Sequence, residues 1–276
     1  RDEMPDDFDT FWNKQVAEVE VPQDYQLLEK DFQIAYATCY ELTFKSGNGG
    51  QIYAKLVVPK LSEKVPVLFH FHGYMGQGWD WADMLAYTAA GWGVVSMDVR
   101  GQSGYSLDGD REVRGNTVKG HIIRGALDGP DQLFFKDVYL DVYTSVELVA
   151  GLDFVDENRL SSFGGSQGGA LALVAAALNS RIKQTVAIYP FLVDFRRVLE
   201  IGNTSEAYDE LFRYFKFHDP FHETEEQLLQ TLAYIDVKNL AHRISCPVQM
   251  IIGLEDDVCY PITQFAIYNR LAGEKE

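Results

Sequence analysis

The sequence predicts an α/β fold built on a doubly wound, mostly parallel sheet. Three observations carry this expectation. Apolar runs at 65–71, 93–97, 159–163, 183–189 and 248–252 are short and bounded by breakers, the pattern of strands buried on both faces. Helical patterns fill most of the intervals between them. The chain has 276 residues, 46% of them hydrophobic, which suffices for a single domain, 1–276, with a substantial core.

In chain order, Asp6 and Asp7 can cap a helix running to about Glu20, with Phe8, Phe11, Trp12, Val16 and Val19 at helical spacing. Segments 33–44 and 51–58 read as strands joined through Ser46-Gly47-Asn48-Gly49-Gly50, where glycine supplies positive φ. Residues 1–60 thus form an N-terminal helix and hairpin extension. A helix follows Trp79 and runs to about Ala90. The stretch 101–135 is long, glycine-rich and poorly periodic, which in a compact domain points to a functional loop or an interface. Helices are expected at 137–150, at 167–178 (rich in alanine) and at 262–271. Residues 194–241 read as a mostly helical insertion between two strands.

Lys and Arg number 24 against 41 Asp and Glu, a net charge of −17 spread along the chain. Such a charge favours solubility and argues against nucleic acid or an anionic membrane as partner. No stretch reaches the roughly 18 apolar residues of a membrane span. The three cysteines, Cys39, Cys246 and Cys259, form no CxxC pair and read as free thiols in a reducing compartment. The first residues lack an apolar signal-peptide core, so no signal peptide is expected. They also lack an initiator Met, so the sequence is expected to be part of a longer gene product.

The chemistry concentrates in Gly164-Gly165-Ser166-Gln167-Gly168-Gly169. This fits G-x-S-x-G with a strand running in and an alanine-rich helix running out. The strand-to-helix turn is so tight that side chains at 164 and 168 would strike neighbouring backbone, so glycine is required at both. Ser166 is then a strained, exposed nucleophile in an α/β-hydrolase fold. The Gln167 amide at the helix N-terminus becomes one oxyanion donor. The other is assigned to the Tyr74 amide, in the loop after the strand that ends at His70-Phe71-His72-Gly73. A metal pair at His70 and His72 is the rival reading. No further ligand cluster follows at matching strand ends, so His72 reads better as a turn-stabilising histidine bonded to backbone.

The order nucleophile, acid, base places the acid after strand 248–252, among Glu255, Asp256 and Asp257, with Asp256 favoured. All six histidines precede Asp256. The base is therefore expected beyond Glu276, together with a further strand and helix. The alternative is a non-catalytic relative.

These motifs together resemble the acetyl xylan esterase / cephalosporin-C deacetylase family of carbohydrate esterases. The resemblance rests on Arg100-Gly101-Gln102, Gly164-Gly165-Ser166-Gln167-Gly168 and Gly253-Leu254-Glu255-Asp256 ahead of Pro261. His72-Gly73-Tyr74, the segment 120–125 and the aromatic first helix also contribute. The resemblance implies Ser166 as nucleophile, Asp256 as acid, and the Tyr74 and Gln167 amides as oxyanion hole. It also implies acetylated xylo-oligosaccharides and cephalosporins as substrates, a cytoplasmic setting and a ring-shaped homohexamer. The family's His-Glu signature is absent from this stretch. Arg100-Gly101-Gln102 reads as structural support for the site. The acyl-transfer chemistry calls for no metal or organic cofactor. Two other readings keep the fold: a serine peptidase with the same residue order, and a binder of small molecules that does not turn them over.

Overall fold

The computed structural model describes residues 4–109 and 119–276. Its eight strands form one sheet, and chain order is broken only once. Strands β1 (Tyr25–Glu29), β2 (Ala37–Lys45) and β3 (Gln51–Pro59) form an antiparallel meander. The next two are β4 (Val65–Phe71) and β5 (Gly93–Met97), and β5 joins β3 antiparallel. From β5 onward every pairing is parallel: β5 to β4, then β6 (Val155–Gly165), β7 (Ile182–Ile188) and β8 (Val248–Ile251). The order is β1-β2-β3-β5-β4-β6-β7-β8.

The hairpin of 33–44 and 51–58 supplies β2 and β3, which continue the central sheet on one side through the β3–β5 ladder. Its turn holds Asn48 at φ 54, and the first strand begins four residues later than expected, at Ala37. The strand β1 was not foreseen. It alternates no apolar residues, being largely exposed, and exists through its ladder with β2. At the opposite side of the sheet, residues Glu274 and Glu276 bond to β8: Val248 N–H to Glu274 O at 3.0 Å and Met250 N–H to Glu276 O at 2.9 Å.

Helices cover the sheet. Helix α1 (Phe8–Ala17) buries Phe8 and Trp12, and α2 (Trp81–Ala89) packs on β3 and β5 around Met84, Val57 and Val94. Helix α3 (Phe134–Ala150) packs beside α4 (Gln167–Leu178). All twelve residues of α4 are buried, because it is enclosed by β4, β6, β7, α3 and the insertion. Small alanines on every side let it sit that deep. The insertion resolves into α5 (Phe195–Glu200), α6 (Asp209–Phe217), α7 (Glu225–Leu232) and α8 (Val237–Leu240), and α9 (Pro261–Tyr268) follows β8. Among the described residues no helix is long and apolar enough to cross a membrane. The carboxyl ends of β4, β6 and β8 lead directly into the loops at 72–76, 166 and 253–257.

Candidate active site

Strand β6 ends at Gly165 and α4 begins at Gln167, so the whole turn is a single residue, Ser166. Its backbone sits at φ 56, ψ −119, a conformation that L side chains rarely adopt. Three backbone hydrogen bonds hold it there. The Ser166 N–H donates to Ile188 O at 2.9 Å, and Ser166 O accepts from Ala170 at 3.0 Å and Phe191 at 3.0 Å. The glycine requirement is steric, as the spacing predicted. A Cβ on Gly164 would lie 2.5 Å from Phe71 O, and one on Gly168 only 1.9 Å from the same oxygen. The turn is thus pressed against the end of β4.

That strand end opens the second loop. The Val99 N–H donates to His72 Nε2 at 2.9 Å, which leaves the ring proton on Nδ1, donating to Gly73 O at 2.8 Å. Burial holds the imidazole pKa below its ordinary value, so the ring stays neutral and both nitrogens are spent on backbone. His72 is a turn-stabilising histidine. His70 bonds Ser96 Oγ at 2.8 Å and stacks on Trp79 with centroids 3.7 Å apart. Burial lowers its pKa to about 3. The two histidines share no open coordination position.

Gln102 explains why Arg-Gly-Gln accompanies G-x-S-Q-G. Its side-chain amide pairs reciprocally with that of Gln167: Gln102 Nε2 donates to Gln167 Oε1 at 2.7 Å, and Gln167 Nε2 returns to Gln102 Oε1 at 3.0 Å. The same Gln102 Oε1 accepts the Met75 N–H at 3.0 Å, and Gln167 Nε2 reaches His72 O at 3.4 Å. One amide pair therefore ties the first residue of α4 to the loop that carries Tyr74. The Gln167 N–H lies in the first helical turn, where no intrahelical acceptor exists. Beneath this pair, Arg100 is fully buried and grips Asp141 with two bonds of 2.6 Å, adding Gly47 O at 2.9 Å. Burial outweighs the opposing Arg100 charge and leaves the Asp141 carboxyl raised to about 6. Arg100-Gly101-Gln102 is support for the site.

The Tyr74 side chain is spent on packing and on a buried hydrogen bond. Its ring packs on Phe191 (centroids 4.9 Å) and its hydroxyl meets Glu210 of α6.

The third loop follows β8. Asp256 is half-buried, whereas Glu255 and Asp257 are exposed. One oxygen of Asp256, Oδ1, accepts the N–H groups of Val258 at 2.9 Å and Cys259 at 2.8 Å, which fixes the carboxylate. The Cys259 thiol is buried and raised to about 12, chiefly by burial and then by the Asp256 charge, while a hydrogen bond with the Ser166 side chain opposes the rise. Cys259 thus sits between the acid, which its backbone N–H bonds, and the Ser166 side chain that influences its thiol. Sequence reasoning did not find it, since one cysteine in a loop carries no spacing signal.

The structure brings Ser166, Gln167, the loop of Tyr74, and Asp256 to the same end of the sheet. It brings no histidine between them. His121 Nε2 bonds Gly101 O at 3.0 Å, His242 pairs with Asp9 at 2.9 Å, His222 stacks on Phe215, and His218 stacks on Tyr214. Among the described residues no group of three or more His, Cys, Asp or Glu is arranged to hold a metal ion.

A family model described as acetyl xylan esterase (AXE1) matches residues 1–276. The chain belongs to the acetyl xylan esterase family. It is similar to acetyl xylan esterase 1 from Thermoanaerobacterium sp. JW/SL YS485, with a TM-score of 0.95 and 44% identity over 100% of this chain and 87% of that one. The acetyl xylan esterase from Paenibacillus sp. R4 superposes with a TM-score of 0.92 at 36% identity, covering 99% of this chain and 87% of that one. The acetyl esterase Axe7A of Xylanibacter ruminicola is 30% identical over 279 residues, 99% of this chain. The chain spans 61% of that curated relative's length. More distant neighbours include an α/β hydrolase at 17% identity and share the fold alone. The family member described here therefore has the α/β-hydrolase fold.

Proposed function

We propose that the protein is a serine carboxylesterase that removes acetyl groups from acetylated xylo-oligosaccharides. The observation that carries the reading is Ser166, held at φ 56, ψ −119 over a seat that admits only glycine. Backbone strain of this kind survives only where the surroundings over-determine it, and it clusters at reacting groups.

Ser166 Oγ attacks the acetyl carbonyl as its proton passes to a base. The carbonyl oxygen, now anionic, takes hydrogen bonds from the Gln167 and Tyr74 amides. Collapse of the tetrahedral adduct breaks the bond to the sugar oxygen, which leaves with the proton. Water then repeats the sequence on the acetyl-serine, releasing acetate and restoring the hydroxyl. Asp256 orients the base: its Oδ1 is held by two amides, which leaves Oδ2 for an imidazole N–H. The base itself is none of the six histidines described; the mechanism requires one within reach of both Ser166 Oγ and Asp256 Oδ2. Residues 1–276 produced alone are accordingly expected to show only residual turnover, because an unassisted serine hydroxyl is a poor nucleophile.

Deacetylation of cephalosporin C, a cytoplasmic setting and assembly into a homohexamer extend the same reading. Comparative kcat/KM values on the two substrate classes and the mass in solution test the first and the last. For the reaction, the test is Ser166→Ala in the full-length protein. Turnover of 4-nitrophenyl acetate and release of acetate from acetylated xylo-oligosaccharide should fall at least ~10³-fold with the fold intact. Retention of a tenth of wild-type activity removes Ser166 from the mechanism.

A further inference from the structure

We propose that Glu210, carried by α6 of the helical insertion, is a positioning residue that fixes the oxyanion loop through Tyr74. The proposal rests on the reading of the Tyr74 amide as an oxyanion donor.

Glu210 occupies the first turn of an amphipathic helix, where a carboxylate ordinarily faces water, yet its residue exposure is 0%. An ionisable group that deep must be satisfied by partners, and Glu210 is. The Tyr74 hydroxyl donates to Oε2, and the Lys119 N–H donates to Oε1 at 2.8 Å. The Ile122 N–H lies 3.1 Å from the Tyr74 hydroxyl oxygen and 3.5 Å from Glu210 Oε2. One carboxylate thus joins the insertion, the loop after β4 and the start of the 119–125 segment. At the surface, Lys119 Nζ pairs with the neighbouring Asp209 at 2.8 Å and closes the same seam.

The phenol is the donor in this arrangement. Burial and the adjacent carboxylate push its pKa far above the ordinary range, so it keeps its proton. Its ring has no freedom either. It packs on Phe191, whose N–H bonds Ser166 O at 3.0 Å, and a Cβ on Gly120 would lie 2.1 Å from its Cε2. The loop bearing the Tyr74 amide is thereby tethered at several points, of which two bear on the proposal. Gln102 holds it through the Met75 N–H, and Glu210 holds it through the end of the Tyr74 side chain. A donor must sit within a few tenths of an ångström of the developing oxyanion to act, so releasing one tether should weaken transition-state binding more than substrate binding.

The test uses full-length protein carrying Tyr74→Phe, Glu210→Gln, Glu210→Ala, and the Tyr74→Phe/Glu210→Gln pair. Steady-state kinetics on 4-nitrophenyl acetate are compared with the rate at which diethyl 4-nitrophenyl phosphate inactivates the enzyme, since that reaction also builds charge on an oxygen in the hole. Tyr74→Phe should lower kcat about 10-fold with KM within about 2-fold, and should slow inactivation in step. Glu210→Gln, which keeps an acceptor for the Lys119 N–H, should retain more activity than Glu210→Ala. The double variant should be no worse than its poorer parent, because both changes cut one tether. If Glu210→Ala does not fold, Tyr74→Phe, which removes a single oxygen, carries the test. Unchanged kcat and inactivation rate in Tyr74→Phe, or losses that simply add in the double variant, overturn the proposal. Ser166→Ala in the same assay separates the two readings. If it is inactive while the Tyr74 and Glu210 variants are normal, only the positioning role fails. If Ser166→Ala stays active, the site itself was misassigned.

Discussion

Replacing Gly168 with alanine places a Cβ 1.9 Å from Phe71 O and 2.6 Å from Phe71 C, both backbone atoms. Carbon atoms of this kind essentially never approach below 3.0 Å, so α4 and the end of β4 must separate by more than an ångström. No side chain can turn aside to absorb the shift. The displacement falls between Ser166, two residues earlier at the N-terminus of α4, and the loop that β4 leads into, so it opens the gap between nucleophile and oxyanion donor. Misplacement by about 1 Å costs roughly 10²-fold in rate. The overpacking itself should cost about 3 kcal/mol, the upper end of its usual range, because only backbone can yield. For a domain of this size that corresponds to a Tm lower by roughly 6–12 °C. The assay is kcat/KM on 4-nitrophenyl acetate beside a thermal unfolding curve. Gly151→Ala is the control: at φ −82, ψ −5 its Cβ would lie 3.4 Å from Leu148 O, an ordinary contact, and alanine there should be neutral or slightly stabilising. Wild-type kcat/KM and Tm in Gly168→Ala would refute the steric account of the elbow.

Asp256→Asn should lower kcat/KM more than ~10²-fold, because the base loses its orienting partner, while the exposed Asp257→Asn should change little; the opposite ranking would move the acid one position along. Acetyl esters should be turned over faster than butyryl and longer esters, and a kcat/KM series rising with chain length would instead indicate a lipase-like pocket. His70 supplies a pH test. Its folded pKa is about 3 against 6.5 unfolded, so the unfolded chain gains a proton first as pH falls, and stability is lost from pH 6.5 toward 3. The slope from this group is up to ~1.4 kcal/mol per pH unit. His70→Gln should therefore lose less stability than wild type between pH 7.5 and 5 in urea titrations, and equal losses would contradict the assignment.

What was legible in the sequence is what lies close together along the chain and is wholly buried. Strands β4 and β5 and helix α4 stand where their continuous apolar runs placed them. The elbow was readable because its strand, turn and helix are contiguous, and His72 because its partners are backbone of its own turn and the next strand's exit. Strand β1 was not, since its residues face water and only the ladder to β2 defines it. Glu210 was invisible for a related reason. In the first turn of an amphipathic helix an acid reads as a solvated, dipole-matched residue, and its partner Tyr74 lies 136 positions earlier. Cys259 was missed likewise, its meaning residing in the Asp256 and Ser166 groups it touches.

The most direct test of the serine reading is covalent. Full-length protein is treated with diethyl 4-nitrophenyl phosphate and digested, and the modified peptide is mapped by mass spectrometry while residual acetyl-ester turnover is followed. The account predicts one diethylphosphoryl group per chain, on Ser166, appearing in step with loss of activity and absent from Ser166→Ala. Loss of activity with Ser166 unmodified, or with the label on another residue, would contradict it.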